Sequence, residues 1–329
     1  MSSTAHMLLI SPAFFGYEND IRRAVESHGF VVDYFDERPS NSSVAKAAFR
    51  AGGRFAQSLV GRHYRRMLER VSGTRYTHVL IIKGEVIPIW AVRELRRLNP
   101  EAKFVYYSFD AIPAGSNCLQ LLGEMDECYS FDASDVLKHQ ALKYKPLFYA
   151  EEFGTVQKSV PRRHELAFVG TLHSDRYNFV SRLFSSFENT YGFFYVPARW
   201  FFALNKYLTR SFQGVDWSQV SFRKLSKGDV AEIFQNSRAV LDLQRNNQSG
   251  LTMRTFEVLA SGAILVTGNV SIRSAEFFNP DRILVVENYD AVDSSERLRH
   301  ALSNLPEHDG PPVGFEKYAV RSWVEEFIR

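Results

Sequence analysis

The sequence predicts an α/β protein built from two doubly wound domains, and three observations predict it. Short, uniformly apolar strands alternate with helical stretches, the pattern of a parallel sheet covered on both faces. The alternation stops at a polar stretch, Val156–His164, and then begins again. At 329 residues the chain has the length of two ordinary domains of roughly 150 residues each.

Each element can be justified in order. His6–Gly16 reads as a buried strand ending in a turn with Pro12 and Gly16. Glu18–His28 reads as a helix with Gly29 as its stop, and Phe30–Phe35 as the next strand, which completes one βαβ unit. Thr77–Ile82 is a strand, Ile89–Leu98 a helix and Lys103–Ser108 a strand. Beyond the polar stretch come strand Glu165–Gly170, helix Ser174–Phe187, strand Ala239–Leu243, helix Thr252–Ala260, strand Ala263–Thr267 and strand Arg282–Val286. Phe315–Arg329 reads as a last helix. The expected division is residues 1–155, residues 156–312, and a C-terminal helix, 313–329, able to cap either domain, packing back on the first being one of the two.

Composition narrows the function. Hydrophobic residues make up 45% and charged residues 23%, which excludes a largely disordered chain. A net charge of +3 is not that of a polycation. The two cysteines, Cys118 and Cys128, form no CxxC, which excludes a disulfide scaffold and suits a reducing cytoplasm. The nine histidines form no HxxxH or HExxH pair, so no helical zinc site is expected. The apolar run Met7–Phe15 is too short and lacks the cationic flank of a signal peptide, and no run of 18 apolar residues occurs. These features predict a cytoplasmic protein.

The segment Gln244–Thr267 carries the strongest chemical signal. A strand ends in a polar loop, and a helix starts near Thr252. The first turn of such a helix presents unpaired N–H groups and a positive dipole end, which suit a phosphate. Gly250, Leu251 and Thr252 would supply those groups, Arg245 and Arg254 would add charge, and Glu257 follows one turn in. An ordinary capped helix with a surface glutamate reads the same residues equally well. The loop Gly170–Arg176 permits close backbone approach at Gly170 and offers His173 and Arg176 to a diphosphate. In the first domain, strands end at Lys83-Gly-Glu85, Ser108-Phe-Asp110 and Ser130-Phe-Asp132, where an open α/β sheet binds ligands. Glu85, Asp110 and Asp132 are therefore candidates for a base or for acceptor binding, or else caps and turn residues. Gly16, Tyr17 and Lys83 are placed beside the same crevice.

Gln248-Ser-Gly-Leu-Thr-Met-Arg-Thr-Phe-Glu257 resembles the donor-binding segment of GT-B-type glycosyltransferases of bacterial lipopolysaccharide and capsule biosynthesis, with Ser249 in place of a threonine. Ile10–Glu18, Phe35–Pro39, Lys83–Glu85, Pro146–Tyr149 and Phe168–Tyr177 resemble the same branch in the same order. The resemblance implies two Rossmann-like domains facing an interdomain cleft. It implies a nucleotide-sugar donor held by Gln248 and Ser249 and the residues just named, with Glu257 on the ribose hydroxyls. It also implies a growing cell-surface glycan as acceptor. The glutamate that many retaining members carry eight residues before Glu257 is Ser249 here, which leaves the stereochemistry open. No Asp-x-Asp occurs, so no metal or other cofactor is expected, and helix dipole and arginine would stabilise the leaving group. If the reaction inverts, Asp110 is the expected base, with Glu85 second; a retaining reaction would use none.

Two surfaces stand out. No acid occurs between Glu37 and Glu69, whereas Arg38, Lys46, Arg50, Arg54, Arg62, Arg65 and Arg66 supply cations. Read as a helix from Pro197, the chain places Arg199, Lys206 and Arg210 within about 40° of each other, opposite Trp200, Phe201, Leu204, Tyr207 and Leu208. That pattern fits a helix lying in a membrane interface, with a lipid-linked acceptor, or a core helix whose cations face solvent. A non-catalytic GT-B-fold protein binding a nucleotide or glycan is the alternative to an enzyme. A nucleic-acid module at 38–66 lacks a recognisable binding motif, so no nucleic-acid partner is expected.

Overall fold

The computed structural model describes residues 5–40, 54–113, 115–155, 161–173, 176–243, 250–286 and 294–329. The chain forms two compact units, one of Met1–Leu147 with Val320–Arg329 and one of Phe148–Ala319.

The first unit runs β1 (His6–Ser11), α1 (Tyr17–Ser27), β2 (Val31–Asp36), α2 (Arg54–Val71), β3 (His78–Ile82), α3 (Ile89–Leu98), β4 (Lys103–Ser108), α4 (Cys118–Leu121), β5 (Glu127–Ser130), α5 (Ala133–Lys138) and β6 (Leu142–Tyr144). Its strands lie in the order β2-β1-β3-β4-β5-β6, all parallel. Leu8 pairs with Val79 and Val79 with Phe104, which aligns the apolar runs in register. Met7–Ile10 and Val79–Ile82 are buried on both faces, as the absence of polar alternation in these strands requires. One face packs on Tyr64 and Met67 of α2 and on Val92 and Leu95 of α3. Each such side chain contributes about 1.5–3 kcal/mol of burial.

The second unit runs α6 (Glu151–Gly154), β7 (His164–Thr171), α7 (Arg176–Phe184), β8 (Thr190–Tyr195), α8 (Arg199–Ala203), α9 (Lys227–Gln235), β9 (Ser237–Asp242), α10 (Met253–Ala260), β10 (Ile264–Thr267), β11 (Ile283–Val285) and α11 (Ser294–Ser303). Its sheet order is β11-β10-β9-β7-β8, again all parallel. Strand order reverses between β1 and β3 in the first sheet and between β7 and β9 in the second. Ligand crevices of open α/β sheets form at such points, beyond the carboxyl ends of the strands.

Three expectations need correction. The division falls at Leu147/Phe148 rather than at 155/156, because Tyr149 pairs with Ala319 and Phe153 packs on Phe234, both in the second unit. The single helix expected over Phe315–Arg329 is broken. A 3₁₀ turn, Phe315–Tyr318, ends at extended Ala319, and α12 (Val320–Ile328) then packs on α1. The stretch after Pro197 is not one two-faced helix. α8 passes into a π turn, Leu204–Leu208; fully buried Phe202 is the core anchor, and the Lys206 ammonium donates to the Val215 carbonyl at 2.5 Å. Trp200, Leu204, Tyr207 and Leu208 are exposed, Trp200 at 70%.

Candidate functional site

At the carboxyl ends of β2, β3 and β4 the first unit carries a row of four charges. Arg38 Nη2 donates to Glu85 Oε2 at 2.7 Å. Lys83 Nζ lies 3.2 Å from Glu85 Oε1 and 2.5 Å from Asp110 Oδ2. These groups line a cleft of about 410 Å³ together with Ser108 and Asn117. Lys83, Glu85 and Asp110 were each legible as separate strand ends, and the structure brings them together. Burial opposes ionisation of Glu85, but Lys83 and Arg38 outweigh it and hold its carboxyl below the ordinary value. The Asp110 side chain is 54% exposed, so of the two carboxylates it is the more open to the cleft.

The turn beneath this row is unusual. Lys83 has φ +74° and Gly84 φ +65°, a left-handed pair in which only the second residue is a glycine. A methyl at Gly84 would lie 2.5 Å from Leu121 Cδ1, so the glycine answers to packing as well as to φ. Lys83 N donates to the Tyr107 carbonyl at 2.9 Å, and Tyr106 Oη donates to the Lys83 carbonyl at 2.9 Å. Below the turn sits Glu37, fully buried. Its Oε2 accepts from Gly84 N at 2.9 Å, and its Oε1 accepts from Glu85 N at 2.9 Å and Val86 N at 3.2 Å. Sequence reasoning placed Glu37 and Arg38 within the Phe35–Pro39 resemblance, and Arg38 in a basic run, but gave neither a role at the site. Their partners lie 47 to 49 residues away, a separation that no local pattern reports.

The other first-unit candidates take different places. Asp132 is buried and caps α5, its Oδ1 accepting from Ser134 N at 2.9 Å, so its assignment to the acceptor side is corrected to a structural one. Gly16, with φ +79°, is the N-cap of α1, and Tyr17 borders a small crevice shared with Lys83, Phe14 and Phe109.

In the second unit the site elements gather at the β7/β9 reversal. Thr252 is the N-cap residue of α10 but makes no side-chain cap bond. Its hydroxyl instead donates to Asp242 Oδ2 at 2.9 Å, and Thr255 Oγ1 donates to the same oxygen at 3.3 Å. Asp242, at the end of β9, thus fixes Thr252 and Thr255 at the start of α10, and the sequence did not single it out. Leu251 is buried, and the Gly250 carbonyl accepts from Asn269 Nδ2 at 3.5 Å. Glu257 is 4% exposed, so it is no surface glutamate.

Arg254 stacks on Phe234 and donates through Nη1 to the Val169 carbonyl. Arg176 donates to the Thr171 carbonyl at 3.1 Å and the Leu243 carbonyl at 2.8 Å, joining the ends of β7 and β9. Arg176 therefore ties two strand ends together and Arg254 ties α10 to β7, roles their sequence context did not show. A Cβ at Gly170 would meet the Phe168 ring at 2.6 Å, so an aromatic neighbour already requires this glycine. His173 follows β7 directly; Arg245, Gln248 and Ser249 lie outside the described residues.

Residues 197–310, about a third of the chain, match the family model described as glycosyl transferase-like. The fold is of the GT-B type. Over 98% of this chain and 96% of its own, AviGT4, a glycosyltransferase involved in avilamycin A biosynthesis, superposes with a TM-score of 0.57 at 12% identity. A UDP-forming α,α-trehalose-phosphate synthase from Burkholderia xenovorans gives 0.61 at 13% identity over 99% of both chains. A UDP-GlcNAc 2-epimerase from Methanocaldococcus jannaschii gives 0.55 at 9% identity over 98% of both. No curated protein sequence matches the chain. Among the described residues no helix is long and apolar enough to cross a membrane.

Proposed function

We propose that this GT-B chain is a glycosyltransferase that moves a sugar from a nucleotide-sugar donor to a growing cell-surface glycan of the lipopolysaccharide or capsule kind. The observation that carries the reading is that the family match spans α10 and buried Glu257. In this reading the donor diphosphate lies at the first turn of α10 and the ribose hydroxyls donate to Glu257. The acceptor occupies the cleft of the first unit, with Asp110 as the base that takes the acceptor proton. The absence of an Asp-x-Asp pair supports transfer without a bound metal. Undiminished turnover after chelation is the expected result.

A thermal-shift screen against UDP, GDP, CMP and their sugars tests the donor half. A ligand at 100 times its Kd adds about 2.7 kcal/mol of stability, which such a screen detects. No shift with any of them, in folded protein, overturns it. Exposed Trp200, Leu204, Tyr207 and Leu208 support a peripheral membrane contact and a lipid-linked acceptor at the cytoplasmic face. Arg62, Arg65 and Arg66, all exposed on α2, add charge that suits an anionic surface. Flotation with anionic vesicles at low salt is the check, and failure to float would remove the membrane part alone.

A further inference from the structure

We propose that Glu37 is a positioning residue whose ionised carboxylate clamps the Lys83–Val86 turn and whose protonation loosens it. Three backbone N–H groups end on two carboxylate oxygens, so every bond depends on acceptor lone pairs. Oε1 has both lone pairs engaged, so a proton there displaces the Glu85 or Val86 amide, whereas Oε2 has one to spare and a proton there turns three charge-assisted bonds into weaker neutral ones. Either proton weakens the hold of Glu37 on the turn. The turn is suited to respond, because Lys83 is held at φ +74° only while its surroundings over-determine it. Lys83 and Glu85 would then lose the geometry that sets their contacts with Arg38 and Asp110.

The proton is within physiological reach. Burial pushes the Glu37 carboxyl up to about 7, against the opposing pull of Arg38, the Gly84 amide and Lys83, while Glu85 adds to the rise. The other groups around it are Tyr34 and Asp36 on its own strand end, Tyr106 on β4, and Tyr64 on α2, which donates to the Glu37 carbonyl at 3.0 Å. His63, also on α2, bonds the Asp36 carbonyl at 2.8 Å and is the competing source of a pH response. Global stability moves the opposite way. A carboxyl raised from 4.5 contributes stability that is full below 4.5 and is lost as pH rises through about 7. Protonation of Glu37 therefore loosens the turn without itself costing global stability.

The consequence for acceptor binding rests on the proposed function, whereas the clamp itself does not, so the test needs no substrate. Amide-resolved hydrogen exchange on the full chain, corrected for intrinsic rates, is measured from pH 5.5 to 8.5. Protection of Gly84, Glu85 and Val86 should fall at least tenfold on acidification through pH 7, while Val79–Ile82 stay protected. Glu37→Gln should show the low protection at every pH, and His63→Gln should keep the wild-type response. A flat wild-type profile at these amides overturns the proposal even if Glu37→Gln does not fold. So does a response that survives in Glu37→Gln or disappears in His63→Gln.

Discussion

The two sheet reversals handle charge in different ways. In the first unit, Arg38, Glu85, Lys83 and Asp110 satisfy one another, cation to carboxylate, within 3.2 Å at most. In the second, Arg254 and Arg176 donate to main-chain carbonyls, and the Asp242 carboxylate accepts from two hydroxyls. A carbonyl accepts a hydrogen bond without cancelling the charge of its donor. The first arrangement is balanced, cation against carboxylate, which agrees with the neutral, hydroxyl-rich acceptor proposed for it. The second holds Arg254 on the backbone, the arrangement that the proposed diphosphate site asks for.

Substitutions can break each half separately. The largest effect is expected for Asp110→Asn, which should lower turnover roughly 100-fold while nucleotide affinity stays unchanged. Steady-state kinetics beside titration calorimetry separate the two, and equal loss in both would erase the division of labour. Glu257→Ala should weaken nucleotide binding by about 1.5–3 kcal/mol, the range for hydrogen bonds to a charged group, without changing the first unit's affinity for glycan. An unchanged nucleotide Kd in folded variant protein would remove Glu257 from the donor site. Asp242→Ala should cost about 1–3 kcal/mol in urea unfolding, because two partly or fully buried hydroxyls lose their acceptor. The smallest effect is expected for Lys317→Ala on an exposed pair with Glu276, within about 1 kcal/mol. A larger loss there would show that surface pairs, and not only the two reversals, carry electrostatic weight.

How far the sequence disclosed this depends on the range of the interaction. The apolar runs of β1, β3, β4, β7, β9 and β10 declare a parallel sheet because nothing polar interrupts them, and α10 declares itself by following such a run. β8 was not legible, since half-exposed Thr190, Tyr191 and Phe193 along an edge strand give neither an apolar run nor a clean alternation. Glu37 looks like a loop acid until the turn 47 residues later comes to rest on it. Lys83 at positive φ is equally silent, because the strain belongs to the backbone and not to the residue type. Lys206 was assigned to a cationic face by periodicity, and the π turn that redirects it has no periodic signature.

The return of α12 to the first unit has a consequence for biosynthesis. Trp323 donates from Nε1 to the Pro146 carbonyl at 2.9 Å and packs against Tyr107, while Phe327 packs against Tyr129. The second unit is therefore an insertion between the bulk of the first and its closing helix. A ribosome delivers all of Phe148–Ala319 before the aromatic face of β4 and β5 receives its cover. The first unit is completed only after the second has been made, and until then the rings of β4 and β5 lack the cover of α12.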